Sequence, residues 1–169
     1  SVRDRADTQT LSSDDPPERV VGWVRSISDE AVRELDLQLL ADLAHGETEA
    51  PRLKKVLDIL HDHVTEASAE DDWTAAARTV EAIRGVASDS GDGTARLLAS
   101  DVLQRLGASP AADHALVELV KPETGSADAL VRMLGAVGAV VMPAVARQWA
   151  SARQATLRSR LEQVAGQSG

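Results

Sequence analysis

Two histidines lie close enough together in the sequence to suggest a metal site. His61 and His63 belong to the segment LHDH. Two histidines on one helix bind the same metal when they lie three or four residues apart, because that spacing puts both on one face. Residues two apart point about 200° away from each other. The spacing therefore argues against a metal site, and we expect no metal and no cofactor.

The residues that other kinds of catalysis need are also missing or badly placed. His45 precedes Gly46, where a helix end is expected, and His114 has only Glu118 as an acidic neighbour at helical spacing. The sequence has no G-x-S-x-G elbow, and GDGTARLL lacks the lysine of a phosphate-binding loop. Cysteine is absent, which excludes thiolate chemistry. We therefore expect a protein that is not an enzyme.

Four arginines near the end of the sequence form the best candidate for a binding site. Arg147, Arg153, Arg158 and Arg160 are opposed in this segment only by Glu162. Guanidinium groups bind carboxylates and phosphates through paired hydrogen bonds. These four residues are predicted to bind a protein or an acidic peptide. The alternative is a solvated basic surface with no partner.

The charge of the whole chain restricts the kinds of partner further. The net charge is −9, and residues 1–84 hold 10 basic and 19 acidic side chains, which accounts for all of it. An acidic chain repels phosphate backbones, so a nucleic-acid partner is not expected. The most apolar stretch, Leu134–Ala146, is shorter than the roughly 20 residues of a membrane helix. With no signal peptide in the sequence, a cytoplasmic protein is predicted.

Apolar residues recur at helical spacing through most of the chain. The first stripe is formed by Val32, Leu35, Leu39 and Leu43, and Gly46 is expected to end its helix. No segment alternates as a strand would, so the sequence predicts an all-α fold with about eight main helices. Residues 1–16 are predicted to be a disordered lead-in, 17–166 a single helical domain and 167–169 a tail.

Several residues are predicted to shape the helix ends and the core. Ser68 or Asp72 is expected to cap a helix within the acidic run EASAEDDW. Gly135, Gly138 and Pro143 are expected to form a corner between two helices. The three tryptophans, Trp23, Trp73 and Trp149, are interpreted as packing anchors, and any one exposed in a groove would mark a recognition site.

The second half of the chain contains a weak internal repeat. The segment LGASPAADHALVEL at 106–119 aligns with VGAVVMPAVARQWA at 137–150, at a period near 30 residues. The segment TARLLASDVLQRLG at 94–107 resembles the second helix of a HEAT repeat, and LRSRLEQVAG at 157–166 is a weaker copy. The resemblance implies a right-handed α-solenoid of antiparallel helix pairs. A compact helical bundle is the alternative.

The resemblance to HEAT repeats also implies a class of function. Such a fold would make this chain a non-catalytic protein-interaction or scaffold module, part of a larger bacterial protein. One alternative is an enzyme like the HEAT-like DNA-repair glycosylases, which needs a basic concave face and aromatic residues. The net charge of −9 and the absence of Phe and Tyr argue against it. A helical sensor of metals or small molecules is the other alternative.

Overall fold

The computed structural model describes residues 17–169, with side chains from Ala31 onward. Every regular element in this range is a helix, which confirms the predicted all-α class and the number of main helices. The helices are α1 Pro17–Gly46, α2 Ala50–Ala69, α3 Trp73–Asp89, α4 Gly93–Gly107, α5 Pro110–Leu119, α6 Ala127–Val137, α7 Met142–Ser151 and α8 Ala155–Gln167, with a 3-10 turn at Ala139–Val141. The predicted lead-in at 1–16 lies outside the described residues.

The chain divides into two compact units between Gln38 and Leu39. In the first, the described residues are the beginning of α1. The second holds the end of α1 and all the following helices. There, α3 packs against α2, α4 and α6, while α8 packs against both α6 and α7.

Side chains and prolines fix where several helices begin. The Asp72 carboxylate accepts a hydrogen bond from the Ala75 N–H (3.1 Å), which confirms Asp72 as the cap of α3. Asp92 caps α4 in the same way through the Thr94 N–H (2.9 Å). Ser68 does not act as a cap, because it is buried inside α2. Pro110 starts α5, where its missing N–H costs nothing.

The predicted apolar stripes form the core from α2 onward. From α2 to α6 and in α8, aliphatic residues turn inward at three- and four-residue spacing, whereas in α7 Val145 alone is buried. Fully buried examples include Leu57, Val80, Leu106, Leu119, Leu134 and Leu161. Trp73 is also buried, which confirms it as a packing anchor.

The first predicted stripe, on α1, is wrong as a core stripe. Val32, Leu35, Leu39 and Leu43 are 55%, 64%, 60% and 54% exposed. The buried side of α1 carries Ala44 instead. The helix has apolar residues on two sides, and helical spacing identifies both sides without showing which of them packs. The helix itself is continuous from Pro17 to Gly46.

Two of the three residues predicted to form the corner after α6, Gly138 and Pro143, do so. Gly138 has φ +88°, a left-handed conformation that side chains disfavour, and it ends α6 as expected. Pro143 lies in the first turn of α7, also as expected. Gly135 does not form the corner, because it is buried inside α6. A Cβ atom there would lie 2.6 Å from the Cβ atom of Gln167, so Gly135 permits close packing of α6 and α8.

Taken one at a time, none of the described helices combines the length and the apolar character of a membrane span. The α6 segment and residues 139–151 reach the length and apolar character of a span only when they are joined, and the chain bends by 103° between them.

Candidate functional site

The last part of the chain is locally basic within an acidic protein. Residues 133–169 contain four arginines and one glutamate, so this segment carries +3 in a chain of net charge −9. Arg147 lies on α7, Arg153 in the following turn, and Arg158 and Arg160 on α8. The structure shows that these four arginines have different neighbours.

Arg160 is bound to the end of another helix. Its Nη1 atom donates hydrogen bonds to the backbone carbonyls of Leu119 (3.3 Å) and Lys121 (3.1 Å). These carbonyls lie at the C-terminal end of α5, where a cation is favoured because the helix leaves carbonyl groups unsatisfied there. The same end carries an ion pair from Lys121 to Glu118, whose hydrogen bond raises the pKa of Lys121. Arg160 therefore joins α8 to α5.

Arg158 holds the turn between α7 and α8. Its Nε donates to the Ala152 carbonyl (2.9 Å), and its guanidinium carbon lies 5.3 Å from the centre of the Trp149 ring. The Trp149 indole N–H donates to Glu162 on α8 (3.1 Å). The charge on Arg158 is thus placed over the indole face, which a cation favours. Trp149 remains 43% exposed.

Arg147 and Arg153 are the two arginines that remain open. Both side chains are exposed, and neither makes a hydrogen bond or ion pair with the described residues. Arg147 lies on an outward face of α7 with Pro143, Ala146 and Ala150, which are exposed too and follow at helical spacing. We call this set, with Arg153 in the next turn, the α7 outer face. It consists of small exposed side chains and two arginines that have no partner among the described residues.

The α7 outer face is not evident from the order of residues in the chain. The four arginines lie close together in the sequence, whereas in the structure Arg158 and Arg160 hold helices together. Small residues spaced by three and four around Arg147 are the signal that could have identified it. The sequence predicts Trp149 as a packing anchor. In the structure Trp149 contacts Arg158 and Glu162 but is 43% exposed. The side chain of Trp23 lies outside the described ones.

A second polar cluster joins α2 and α3 to α5. His114 Nε2 lies 3.3 Å from an Asp71 carboxylate oxygen, and its ring meets Trp73 edge-on at 5.0 Å between centroids. Asp71 has φ +58°, which is unusual for a residue other than glycine. The sequence missed this partner of His114, because the two residues lie far apart in the chain. Within the described residues, His114 has no hydroxyl group at hydrogen-bond distance, so the pair lacks a nucleophile to activate.

The other histidines take the positions expected for structural side chains. His45 lies in the last turn of α1 and approaches the Ala41 carbonyl at 3.0 Å. His61 contacts its neighbour Asp62 at 3.4 Å. Within residues 31–169, no group of three or more His, Asp or Glu side chains could hold a metal ion.

Comparison of this chain with protein-family models, with curated proteins and with solved structures finds no match.

Proposed function

We propose that this protein is a non-catalytic helical-repeat module that binds another protein through the α7 outer face. The partner supplies an acidic segment, which lies across Pro143, Ala146 and Ala150 and pairs with Arg147 and Arg153. The observation that carries the proposal is the pair of exposed arginines without partners, in a segment of charge +3. A scaffold role within a larger bacterial protein is part of the same proposal.

The order of helix contacts supports a solenoid as the framework for this module. The consecutive helices α2 and α3, α5 and α6, and α7 and α8 pack as pairs. The second helices of these pairs also follow one another, since α3 packs against α6 and α6 against α8. Stacked repeats, in which each unit contacts its neighbours, produce this order. The HEAT-like, right-handed solenoid of antiparallel pairs is therefore the architecture that we propose.

The chemistry of the α7 outer face favours an acidic helix or strand over other ligands. Small side chains allow a partner backbone to approach closely, and the two guanidinium groups then reach carboxylates on it. Exposed ion pairs contribute only about 0.2–1 kcal/mol each. We therefore expect moderate affinity that falls as salt is raised, since exposed charges are screened over about 10 Å at 0.1 M salt.

Selection from a library of random displayed peptides tests the proposal without assuming the partner. We expect the retained peptides to be enriched in Asp and Glu. The Arg147→Glu/Arg153→Glu variant should retain these peptides about tenfold less well, because two ion pairs of up to about 1 kcal/mol each are lost.

A matched control separates the site from the effect of net charge. Lys55→Glu/Arg96→Glu changes the charge by the same amount at exposed positions on α2 and α4. This control should retain acidic peptides nearly as well as the unchanged protein. Equal losses in both variants, or no enrichment of acidic peptides, would show that the α7 outer face is not the binding site.

A further inference from the structure

Trp149 is a large aromatic side chain that stays partly uncovered beside the α7 outer face. It is 43% exposed, whereas Trp73 is buried. It follows Ala146 by three residues, so it borders that face. Tryptophan and arginine are the residues enriched among those that contribute most to binding in protein interfaces. An exposed tryptophan next to two arginines without partners therefore points to a role in recognition.

Two contacts hold the Trp149 ring in place. Its indole N–H donates to a carboxylate oxygen of Glu162 (3.1 Å), and the guanidinium carbon of Arg158 lies 5.3 Å from the ring centre. Arg158 is itself held by the hydrogen bond from its Nε to the Ala152 carbonyl (2.9 Å). A side chain that is already held loses little conformational entropy when a partner covers it. Trp149 is thus preorganised for binding.

The helix α7 places Trp149 and Arg147 on opposite flanks of the α7 outer face. The two residues are two positions apart, so they point about 200° away from each other around the helix axis. At the same angular step, the arc between them on the exposed side holds Pro143, Ala146 and Ala150. A helix with its side chains is about 10 Å across. A partner that crosses α7 therefore meets Trp149 on one flank and Arg147 on the other.

The two flanks differ in charge. Arg147 and Arg153 have no partner among the described residues, so carboxylates of a partner are favoured beside them. Around Trp149 the charges of Arg158 and Glu162 offset each other, and Glu162 is the only carboxylate in residues 133–169. This flank therefore offers an aromatic surface without net charge. An apolar side chain suits it better than a carboxylate does.

We propose that the acidic partner also carries a large apolar residue, which packs on Trp149 while a nearby carboxylate pairs with Arg147. This inference rests on the proposed function, and it names a second element of the recognised segment. In an extended segment, alternate side chains lie on one side at about 3.3 Å per residue. Residues two or four positions apart are then about 7 or 13 Å apart, which matches the width of α7. The recognised segment thus has an apolar residue two or four positions from an acidic one.

The exposed part of Trp149 sets the expected gain in affinity. A tryptophan side chain has up to about 250 Å² of surface, so about 100 Å² of Trp149 is open to a partner. An apolar side chain covers part of this area, and burial of apolar surface favours binding. We expect a segment with the apolar residue to bind about fivefold to tenfold more tightly than the same segment with alanine in its place.

Fluorescence anisotropy with two labelled peptides tests the inference on the full chain. Both peptides alternate Glu with Ser, and one central Glu is replaced by Leu in the first peptide and by Ala in the second. The unchanged chain should prefer the leucine peptide by about fivefold to tenfold. Trp149→Ala should bind the two peptides equally, and Trp149→Phe should keep most of the preference because it retains an aromatic ring. Arg147→Glu/Arg153→Glu should weaken both peptides alike, by about tenfold.

Leu97→Ala is the matched control, since it removes another exposed apolar side chain, on α4, and it should keep the preference. Circular dichroism verifies that each variant is folded. A preference that survives in Trp149→Ala, or one that is lost in Leu97→Ala, would overturn the inference. Equal binding of both peptides by the unchanged chain would also overturn it but would leave the proposed function standing. If neither peptide bound the unchanged chain, both proposals would be rejected together.

Discussion

The corner at Gly138 allows a prediction of how one methyl group affects stability. Gly138 ends α6 with φ +88° and ψ −148°, a backbone conformation that is essentially restricted to glycine. A Cβ atom added there would lie 2.9 Å from the Nη1 atom of Arg84. That same Nη1 donates to the Ala136 carbonyl (3.3 Å). Gly138→Ala therefore strains the backbone and displaces a hydrogen-bonded side chain.

The two effects of Gly138→Ala can be added as separate costs. Backbone strain of this kind costs about 1–3 kcal/mol. Loss of the hydrogen bond from Arg84 to Ala136 costs about 0.5–1.5 kcal/mol. We expect the free energy of unfolding to fall by about 2–4 kcal/mol, measured by urea denaturation with circular dichroism and with the fluorescence of buried Trp73. This is a large part of the about 5–15 kcal/mol that stabilises a typical domain.

Gly166→Ala is the matched control for Gly138→Ala. Gly166 lies in α8 with ordinary backbone angles, and a Cβ atom there would meet nothing within 4 Å. Alanine is a better helix former, so this substitution should raise the free energy of unfolding by up to about 1 kcal/mol. If Gly138→Ala came within about 0.5 kcal/mol of the unchanged protein, the account of the corner would be wrong.

Three further predictions concern single side chains. Arg84→Gln removes the hydrogen bonds to Ala136 and to the Gly169 carbonyl (3.2 Å) and should cost about 1–2 kcal/mol in urea denaturation; no change would show that these bonds do not stabilise the fold. A hydrogen bond from Lys54 and another from Arg105 hold the pKa of Asp58 below its ordinary value of 3.8. This pairing stabilises the fold above that pH and is lost as the pH falls through the lowered pKa. Asp58→Asn should therefore lower the free energy of unfolding in urea at neutral pH, by less than about 1 kcal/mol because the group is partly exposed. The free energies of unfolding of the variant and the unchanged protein should converge in acid, and a constant difference at every pH would contradict the assignment. Ser68→Ala removes a buried hydroxyl with no hydrogen-bond partner among the described residues and should raise the free energy of unfolding by about 1 kcal/mol. Thermal denaturation should therefore show a higher midpoint temperature, and a lower one would reveal a partner for the hydroxyl.

The sequence predicts the helices and most of the core because these depend on local signals. Apolar residues at three- and four-residue spacing identify the buried sides of α2 to α6 and of α8. Asp72 and Pro110 mark helix starts through their own chemistry, as capping carboxylate and as a residue without an N–H. Gly138 is recognised as a corner because glycine readily adopts the left-handed backbone conformation that ends a helix.

The errors arise where an outcome depends on contacts far apart in the chain. Helical spacing shows two apolar sides on α1 but not that Leu39 faces outward. Gly135 was expected in the corner, and only the approach of Gln167 explains why glycine is needed inside α6. Arg158 and Arg160 are residues of the type that binds acidic partners. In the folded chain, however, Arg158 contacts Trp149 and Arg160 binds the end of α5, and the second of these contacts joins residues far apart in the sequence.

Fluorine NMR of the chain labelled with fluorotryptophan tests the central claim most directly. The sequence has three tryptophans, so the spectrum contains one signal for each. Trp149 lies one turn from Ala146, at the edge of the α7 outer face, and Trp149→Phe assigns its signal. The account predicts that adding poly-glutamate moves the Trp149 signal of the unchanged chain but not that of Arg147→Glu/Arg153→Glu, while the signal of buried Trp73 stays in place in both. A Trp149 signal that poly-glutamate does not move in the unchanged chain, or that it moves equally in Arg147→Glu/Arg153→Glu, would contradict it.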